Sequence, residues 1–205
     1  MIEVPGAPAA QPASGQVCAM LAVDIAAFTR KDRDSEICLY LRRSLYQILR
    51  DAFAGSGLPW EQCHHEDRGD GVLVILPAHI PGYALIDPLP ERLRALIRRH
   101  NRVSRDPAQM QLRAAVNIGP VDRDDHGLVS GDLNMLFRML DARPLRKALA
   151  DTGAELALVT SPYVHDSLVV PHPSLVDPAL FQPLNARVKR TRIRAWLYVP
   201  GHQPP

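Results

Sequence analysis

The sequence predicts an α+β fold with a ferredoxin-like βαββαβ core, extended by a C-terminal helix, a strand and a β-hairpin. Short apolar runs and two amphipathic helical patterns alternate in the order strand, helix, strand, strand, helix, strand. A turn-rich tetrapeptide, Arg68 to Gly71, joins the second and third strands. The length of 205 residues suits one buried core, so we expect a single domain over residues 17–200.

The first half of the core begins with an apolar strand, Val17 to Ile25, that ends next to a carboxylate. A helix is predicted over Ser35 to Ala54, because apolar residues recur there at spacings of three and four and Gly55-Ser56-Gly57 follows. Two extended segments, Trp60 to Asp67 and Val72 to Leu76, then form a hairpin. Asp70 therefore lies at the tip of this hairpin.

The second half begins with a proline-rich loop and a helix with Leu93, Leu96 and Ile97 on one side. The predicted elements are a helix over Leu89 to Arg102, a strand over Gln111 to Ile118, a polar connector over Gly119 to Gly131, a helix from about Leu133, a strand over Glu155 to Thr160, and a basic hairpin ending in Ala195 to Val199.

The composition excludes several classes of function. There are 24 basic and 22 acidic residues, and only 5% of the residues are aromatic, so we expect no nucleic-acid partner. No stretch is long and apolar enough to span a membrane, and residues 1–16 do not resemble a signal peptide. The cysteines Cys18, Cys38 and Cys63 are odd in number and widely spaced, which favours a reducing cytoplasm. Residues 1–16 and 201–205 are expected to be flexible tails.

Two carboxylate motifs are the most informative feature of the chain. Asp24 opens the segment Asp-Ile-Ala-Ala-Phe-Thr at the end of the first strand, and Asp70 lies in Arg-Gly-Asp-Gly. On adjacent strands, two such aspartates would hold hard divalent cations against a polyphosphate. A nucleotide is therefore the leading substrate class. His64 and His65 point to opposite faces of a strand, so we expect them to be structural rather than zinc ligands.

The order and spacing of four motifs resemble the class III nucleotidyl cyclase homology domain, in its stand-alone bacterial form. Asp24 to Thr29 resembles the first metal-binding strand, and Gly69 to Gly71 resembles the hairpin with the second metal aspartate. Gly131 to Arg138 resembles the segment in which an asparagine and an arginine four residues later serve the transition state. Arg187 to Lys189 resembles the late strand that offers a lysine to the triphosphate. The likeness spans Val17 to Val199.

The resemblance implies a nucleotidyl cyclase that converts a nucleoside triphosphate into a 3′,5′-cyclic nucleotide and pyrophosphate with two Mg²⁺ or Mn²⁺ ions per site. In this family the metal ligands come from one subunit and the catalytic asparagine, arginine and lysine from the other, so a homodimer is implied. The implied metal ligands are Asp24, the backbone carbonyl of Ile25 and Asp70; the implied catalytic residues are Asn134 and Arg138; and the implied substrate-binding residues are Glu66, Lys189, Phe28 and Thr29.

The base pocket departs from the family pattern. Glu66 takes the position of one base selector, and a glutamate there mildly favours GTP. The connector between Gly119 and Asn134 is shorter than in familiar cyclases and lacks most of the hairpin that presents the second selector. Asp125, His126 and Ser130 are candidate replacements. Pyrimidine triphosphates are therefore alternative substrates, since some short cyclase-like proteins make cyclic UMP or cyclic CMP.

Several of these residues also have purely structural explanations. Asp132 is a suitable N-cap for the helix that follows it, and Lys189 lies on a basic strand of the kind that protects a sheet edge. Arg138 lies among apolar residues, where a guanidinium needs an anion. The alternative function is a degenerate cyclase domain that binds a nucleotide or a partner without turnover, as a sensor or dimerisation module.

Overall fold

The computed structural model describes residues 14–188 and 190–203, and its centre is an eight-stranded sheet. The strands are β1 Gln16–Ile25, β2 His64–Asp67, β3 Gly71–Ile75, β4 Leu112–Asp124, β5 Gly127–Val129, β6 Leu156–Thr160, β7 Gln182–Val188 and β8 Thr191–Tyr198. The helices are α1 Ser35–Gly55, α2 Leu89–Val103, α3 Gly131–Leu140, α4 Arg143–Thr152 and the short α5 Pro162–Val164.

The strand order is β2-β3-β1-β4-β6-β8-β7, and β5 pairs with β4. β1 is central and antiparallel to both β3 and β4, whereas β4 and β6 are parallel. The predicted α+β fold with the βαββαβ order is confirmed. The bounds of the first two helices differ from the predicted ones by a single residue at the C-terminal end.

The sheet has a hydrophobic layer on each face, and alternate residues of β1 contribute to each layer. Leu21 and Val23 pack with α1 and α2 on one face, as expected for the helices of a ferredoxin-like core. Met20 and Ala22 pack with α3 and α4 on the other face. Asp24 continues the even-numbered series, so its side chain lies on the face that α3 and α4 cover.

The segment predicted as a polar connector contains a short hairpin instead. β4 continues to Asp124, and its last residues pair with β5 in the register Asp122 with Val129 and Asp124 with Gly127. The backbone N–H of His126 donates to Asp124 Oδ1 at 2.8 Å, which stabilises the turn. The prediction failed here because polar residues can form an exposed two-stranded ribbon that hydrophobic periodicity does not detect.

The N-terminal end of the described chain is tied to the sheet, and the C-terminal end forms a local turn after β8. The N–H of Gly15 donates to Val121 at 2.9 Å, and β1 begins at Gln16, one residue inside the segment predicted as a tail. The N–H of His202 donates to Val199 at 3.1 Å. Residues 1–13, 204 and 205 of the predicted tails lie outside the described residues. Within the described chain, no helix has the length and hydropathy needed to cross a membrane.

Candidate active site

Asp24 and Asp70 lie next to each other at one end of the sheet. Asp24 faces Gly71 in the β1–β3 register, and the N–H of Ile25 donates to the carbonyl of Asp70 at 2.9 Å. A Cβ built on Gly71 would overlap the carbonyl oxygen of Val23, so only glycine permits this close approach of the two strands. The adjacency predicted from the two motifs is therefore a direct result of the β2–β3 hairpin packing against β1.

Arg113 of β4 binds the carboxylate of Asp24 with both ends of its guanidinium. Arg113 Nε lies 2.7 Å from Asp24 Oδ1, and the second nitrogen, Nη2, lies 2.6 Å from Asp24 Oδ2. Asp24 is only 8% exposed. Burial raises the pKa of Asp24 to about 6, the guanidinium opposes this effect, and the nearby carboxylates Asp70 and Asp141 add to it. The guanidinium of Arg113 is thus the cation that stabilises the negative charge of buried Asp24.

Arg113 is the residue of this site that the sequence analysis missed. It is a charged residue in the buried first half of a central strand, between Leu112 and Ala114. A buried guanidinium in such a strand requires an anionic partner, and this requirement is the signal that would have identified it. Its partner follows only from the pairing of Asp24 with Arg113 in the β1–β4 register.

The carboxylate of Asp70 is available to a ligand. Asp70 is partly exposed, and its side chain accepts no hydrogen bond from the described residues. No group of three or more His, Cys, Asp or Glu side chains in the described part of the chain is arranged to hold a metal ion. Asp70, the Ile25 carbonyl and, once its pair with Arg113 opens, Asp24 are oxygen donors of the kind that Mg²⁺ or Mn²⁺ binds together with phosphate and water.

The turn between β1 and α1 offers backbone donors beside the aspartates. Ala26 donates its N–H to Gln111 at 2.9 Å, whereas the N–H groups of Ala27, Phe28 and Thr29 donate to no other described residue. Ala27 has a φ of 50°, in the left-handed region. Phe28 is partly buried against the core on the α1–α2 face, which anchors the turn. Successive free amides in such a turn bind anionic oxygens.

Asn134 and Arg138 lie one turn apart on the same side of α3. Asn134 is exposed and Arg138 is partly exposed, and neither side chain has a hydrogen bond or ion pair with a described residue. The anion expected beside Arg138 is therefore not supplied by the described residues of the same copy. The structure brings Asp24 and Asp70 together but forms no hydrogen bond between either of them and the Asn134–Arg138 pair.

The helix that carries Asn134 and Arg138 is capped by Ser130, and the prediction of Asp132 as its N-cap is wrong. Ser130 Oγ accepts from the N–H groups of Asp132 at 3.0 Å and Leu133 at 3.3 Å. The side-chain amide of Asn117 donates to the carbonyl of Asp132 at 3.0 Å, which ties the start of α3 to β4. The cap forms two residues earlier than predicted because the β4–β5 hairpin delivers Ser130 to the helix start.

Glu66, the expected base selector, is held by two neighbours on β2 and the turn that follows it. His64 Nε2 lies 3.1 Å from Glu66 Oε1, and Arg68 donates to Glu66 Oε2 at 2.7 Å. Arg68 also stacks over the ring of Phe137 in α3, with its guanidinium carbon 4.7 Å from the ring centroid. Glu66 is therefore fixed in orientation, and Arg68 links the hairpin to α3.

The two histidines of β2 point in opposite directions, as predicted. His64 contacts Glu66, whereas the ring of His65 stacks on Trp60 with a centroid distance of 4.0 Å. Burial lowers the pKa of His65 to about 4. This stacking supports the prediction that His65 has a structural role.

None of the remaining candidates within the described residues has a hydrogen bond or ion pair with Asp24 or Asp70. Lys189 lies outside the described residues, between the end of β7 and the start of β8. Asp125 and His126 are exposed at the tip of the β4–β5 hairpin. Ser130 Oγ caps α3 and donates to the carbonyl of Pro120 at 2.5 Å, so its hydroxyl already has hydrogen-bond partners within the chain. The replacement for the second base selector stays a prediction.

Comparison with known proteins shows that the chain shares its fold with nucleotide cyclase domains. No protein-family profile matches the chain, and no curated protein matches its sequence. Solved structures do match. An adenylate/guanylate cyclase/hydrolase from Silicibacter pomeroyi has 20% identity and a TM-score of 0.63, and the match covers 93% of this chain and 100% of that one.

Two further structures support the same fold. The guanylate cyclase domain of RhGC from Catenaria anguillulae, solved with GTP, has 16% identity and a TM-score of 0.57 over 89% of this chain and 95% of that one. A bacterial light-regulated adenylyl cyclase has 12% identity and a TM-score of 0.61 over 92% of each chain. The fold predicted from the motifs is confirmed: the described chain has the fold of the class III adenylyl and guanylyl cyclase domains.

Proposed function

We propose that the protein is a nucleotidyl cyclase that converts a nucleoside triphosphate into a 3′,5′-cyclic nucleotide and pyrophosphate. The observation that carries the proposal is the adjacency of Asp24 and Asp70 beside a turn with three free backbone amides. Carboxylates for metal ions and amides for phosphate oxygens are the two parts that a triphosphate site requires. The solved cyclase domains to which the chain is similar have the same fold.

The chain's own residues have distinct roles in this reaction. The amides of Ala27, Phe28 and Thr29 hold phosphate oxygens, and Glu66 orients the base. Asp24 and Asp70, with the Ile25 carbonyl, would hold Mg²⁺ or Mn²⁺, which would supply Lewis-acid activation of the ribose 3′-hydroxyl and neutralise phosphate charge. Arg113 neutralises Asp24 in the free enzyme.

The second half of the site is supplied by another copy of the chain. The 3′-oxygen attacks the α-phosphate and pyrophosphate leaves, so negative charge develops on the phosphate oxygens. Arg138 stabilises this charge, Asn134 orients the ribose, and Lys189 holds the terminal phosphates. The absence of an anionic partner for Arg138 among the described residues supports a partner in trans. A two-fold dimer then contains two equivalent sites.

A product assay tests this proposal. The purified protein is incubated with ATP, GTP, CTP or UTP and Mn²⁺, and the products are identified by mass spectrometry. We expect one 3′,5′-cyclic nucleotide with an equal amount of pyrophosphate, and none from the Asp70→Asn variant. GTP is the first candidate because of Glu66, with the pyrimidine triphosphates next. The absence of a cyclic product from all four triphosphates would overturn the proposal.

One observation favours a second candidate, a degenerate cyclase domain that binds a nucleotide without turnover. Both oxygens of Asp24 are occupied by Arg113, so metal binding requires this pair to open. Calorimetry separates the two functions, because a sensor binds the nucleotide and returns it intact. Nucleotide binding without product in the mass-spectrometric assay would establish the sensor.

A further inference from the structure

A cavity of about 440 Å³ opens beside the β1–α1 turn, next to the Asp24–Arg113 pair. Its lining combines the turn, the start of β4 and one side of α4: Ala26, Ala27, Gln111, Arg113, Arg146, Leu149 and Ala150. The volume is within the range of small-molecule sites. From this cavity we infer that Arg146 of α4 binds the terminal phosphate of the nucleotide, in the same copy that carries Asp24 and Asp70.

The charge of the cavity favours a phosphate. Two of its lining residues are cationic, and none is acidic. Arg113 is already neutralised by Asp24, and the side-chain amide of Gln111 donates to the Ala154 carbonyl at 2.7 Å. Arg146 has no hydrogen bond or ion pair from its side chain to a described residue. The uncompensated charge in the cavity is therefore that of Arg146.

The packing of α4 holds Arg146 at this position. Leu145 and Leu149 are buried against the sheet, at 0% and 2% exposure, and fix the rotation of the helix. Arg146 lies between them in sequence and is exposed at the cavity. The next residue, Lys147, forms an ion pair with Asp151 on the same helix instead. The two neighbouring cations thus have different environments, and only Arg146 faces the cavity.

The chemistry of the ligand follows from the position of the cavity. Ala26 and Ala27 of the turn line the cavity, so a substrate whose inner phosphates were held at Asp24 and Asp70 would reach this space with its terminal phosphate. A guanidinium binds two oxygens of a phosphate at once, whereas a lysine acts as a point charge. The inference deepens the proposed function and rests on it, since it adds Arg146 of the same copy to the contacts of the substrate's terminal phosphate, beside Lys189 of the second copy. Arg146 selects triphosphates over monophosphates without using a residue of the second copy.

Calorimetry on matched variants tests the inference. Arg146→Gln is compared with Lys147→Gln, which removes the same charge from the neighbouring residue of α4. The ligands are the nucleoside triphosphate, the matching monophosphate, and inorganic tripolyphosphate without added metal. We expect Arg146→Gln to weaken binding of the triphosphate and tripolyphosphate on the order of tenfold, with unchanged binding of the monophosphate. Lys147→Gln should behave as the wild type, and Arg146→Lys should recover part of the loss.

The outcomes separate this inference from the proposed function. The inference about Arg146 is overturned if Arg146→Gln and Lys147→Gln bind tripolyphosphate equally well. It is also overturned if the wild-type protein binds no tripolyphosphate. If no triphosphate gives a cyclic product but Arg146→Gln alone loses tripolyphosphate binding, the cyclase proposal fails and the phosphate site stands. If the wild type makes a cyclic product and the KM of Arg146→Gln is unchanged, the cyclase stands and this role of Arg146 fails.

Discussion

Arg113 donates two hydrogen bonds to Asp24, at 2.7 and 2.6 Å, across the boundary between β4 and β1. Both side chains are almost buried, with 12% and 11% of their surfaces exposed. The pair connects the stability of the sheet with the chemistry of the candidate site, because the residue that neutralises Asp24 in the folded chain would also compete with the proposed metal ion for this carboxylate.

Removal of Arg113 should destabilise the protein. In Arg113→Met the carboxylate of Asp24 stays buried without a partner, and we expect the free energy of unfolding to fall by about 3 kcal/mol, as for other broken buried ion pairs. Urea denaturation measures the change. The double variant Asp24→Asn with Arg113→Met should lose less than the sum of the two single variants. Additive losses would show that the two groups do not interact.

Asp70→Asn should abolish turnover and leave stability unchanged. The carboxylate of Asp70 is partly exposed and has no hydrogen bond from the described residues, so the folded chain does not depend on its charge. We expect kcat to fall at least a hundredfold, in line with the loss of other charge-stabilising groups. Asp122→Asn, at the exposed β4–β5 hairpin, is the control and should keep full activity. A kcat close to the wild-type value in Asp70→Asn would exclude Asp70 as a metal ligand.

Two inactive variants should restore activity when they are mixed. In a two-fold dimer, Asp70→Asn damages one half of each site and Arg138→Ala the other half, so a mixed dimer contains one intact site. Random exchange of equal amounts gives mixed dimers as half of the population, and we expect about a quarter of the wild-type activity. The assay is cyclic-nucleotide production after mixing and incubation of the purified variants. No recovery, with subunit exchange shown by differently tagged chains, would mean that both residues act in the same copy.

His65 should make the protein less stable as the pH falls below neutrality. The ring is stacked on Trp60, its Nε2 is buried without a hydrogen-bond partner among the described residues, and burial lowers its pKa from 6.5 to about 4. The unfolded chain therefore binds a proton between pH 6.5 and 4 that the folded chain does not bind. The stability contributed by neutral His65 is fully present above pH 6.5 and is lost as the pH falls through this window.

The variant His65→Phe should remove this pH dependence, since phenylalanine stacks on Trp60 without titrating. We expect the contribution of His65 to be about 2 kcal/mol between pH 7 and pH 4, after allowance for the partial exposure of the ring. Thermal or urea unfolding across this range measures it. His126→Gln, in the exposed hairpin turn, is the control and should keep the wild-type slope. A slope in His65→Phe equal to that of the wild type would assign the effect to other groups.

The sequence by itself determined the order of the elements and the parts of the site that are close along the chain. The position of Asp70 at a hairpin tip follows from the turn-rich tetrapeptide around it. Asn134 and Arg138 share a helix face because they are four residues apart. Asp24 lies at the end of an apolar strand, and its proximity to Asp70 follows once β1 and β3 are neighbours. These features depend on short-range geometry, which a linear pattern records.

Only the tertiary structure decided which distant groups meet. Arg113 and Asp24 are 89 residues apart, and their contact depends on the register of β4 against β1. Arg146 lines one cavity with Ala26 and Ala27 because buried leucines fix the orientation of α4 on the sheet. Such contacts are set by the packing of a sheet and its helices, in which a shift of one residue in register moves every side chain to the opposite face.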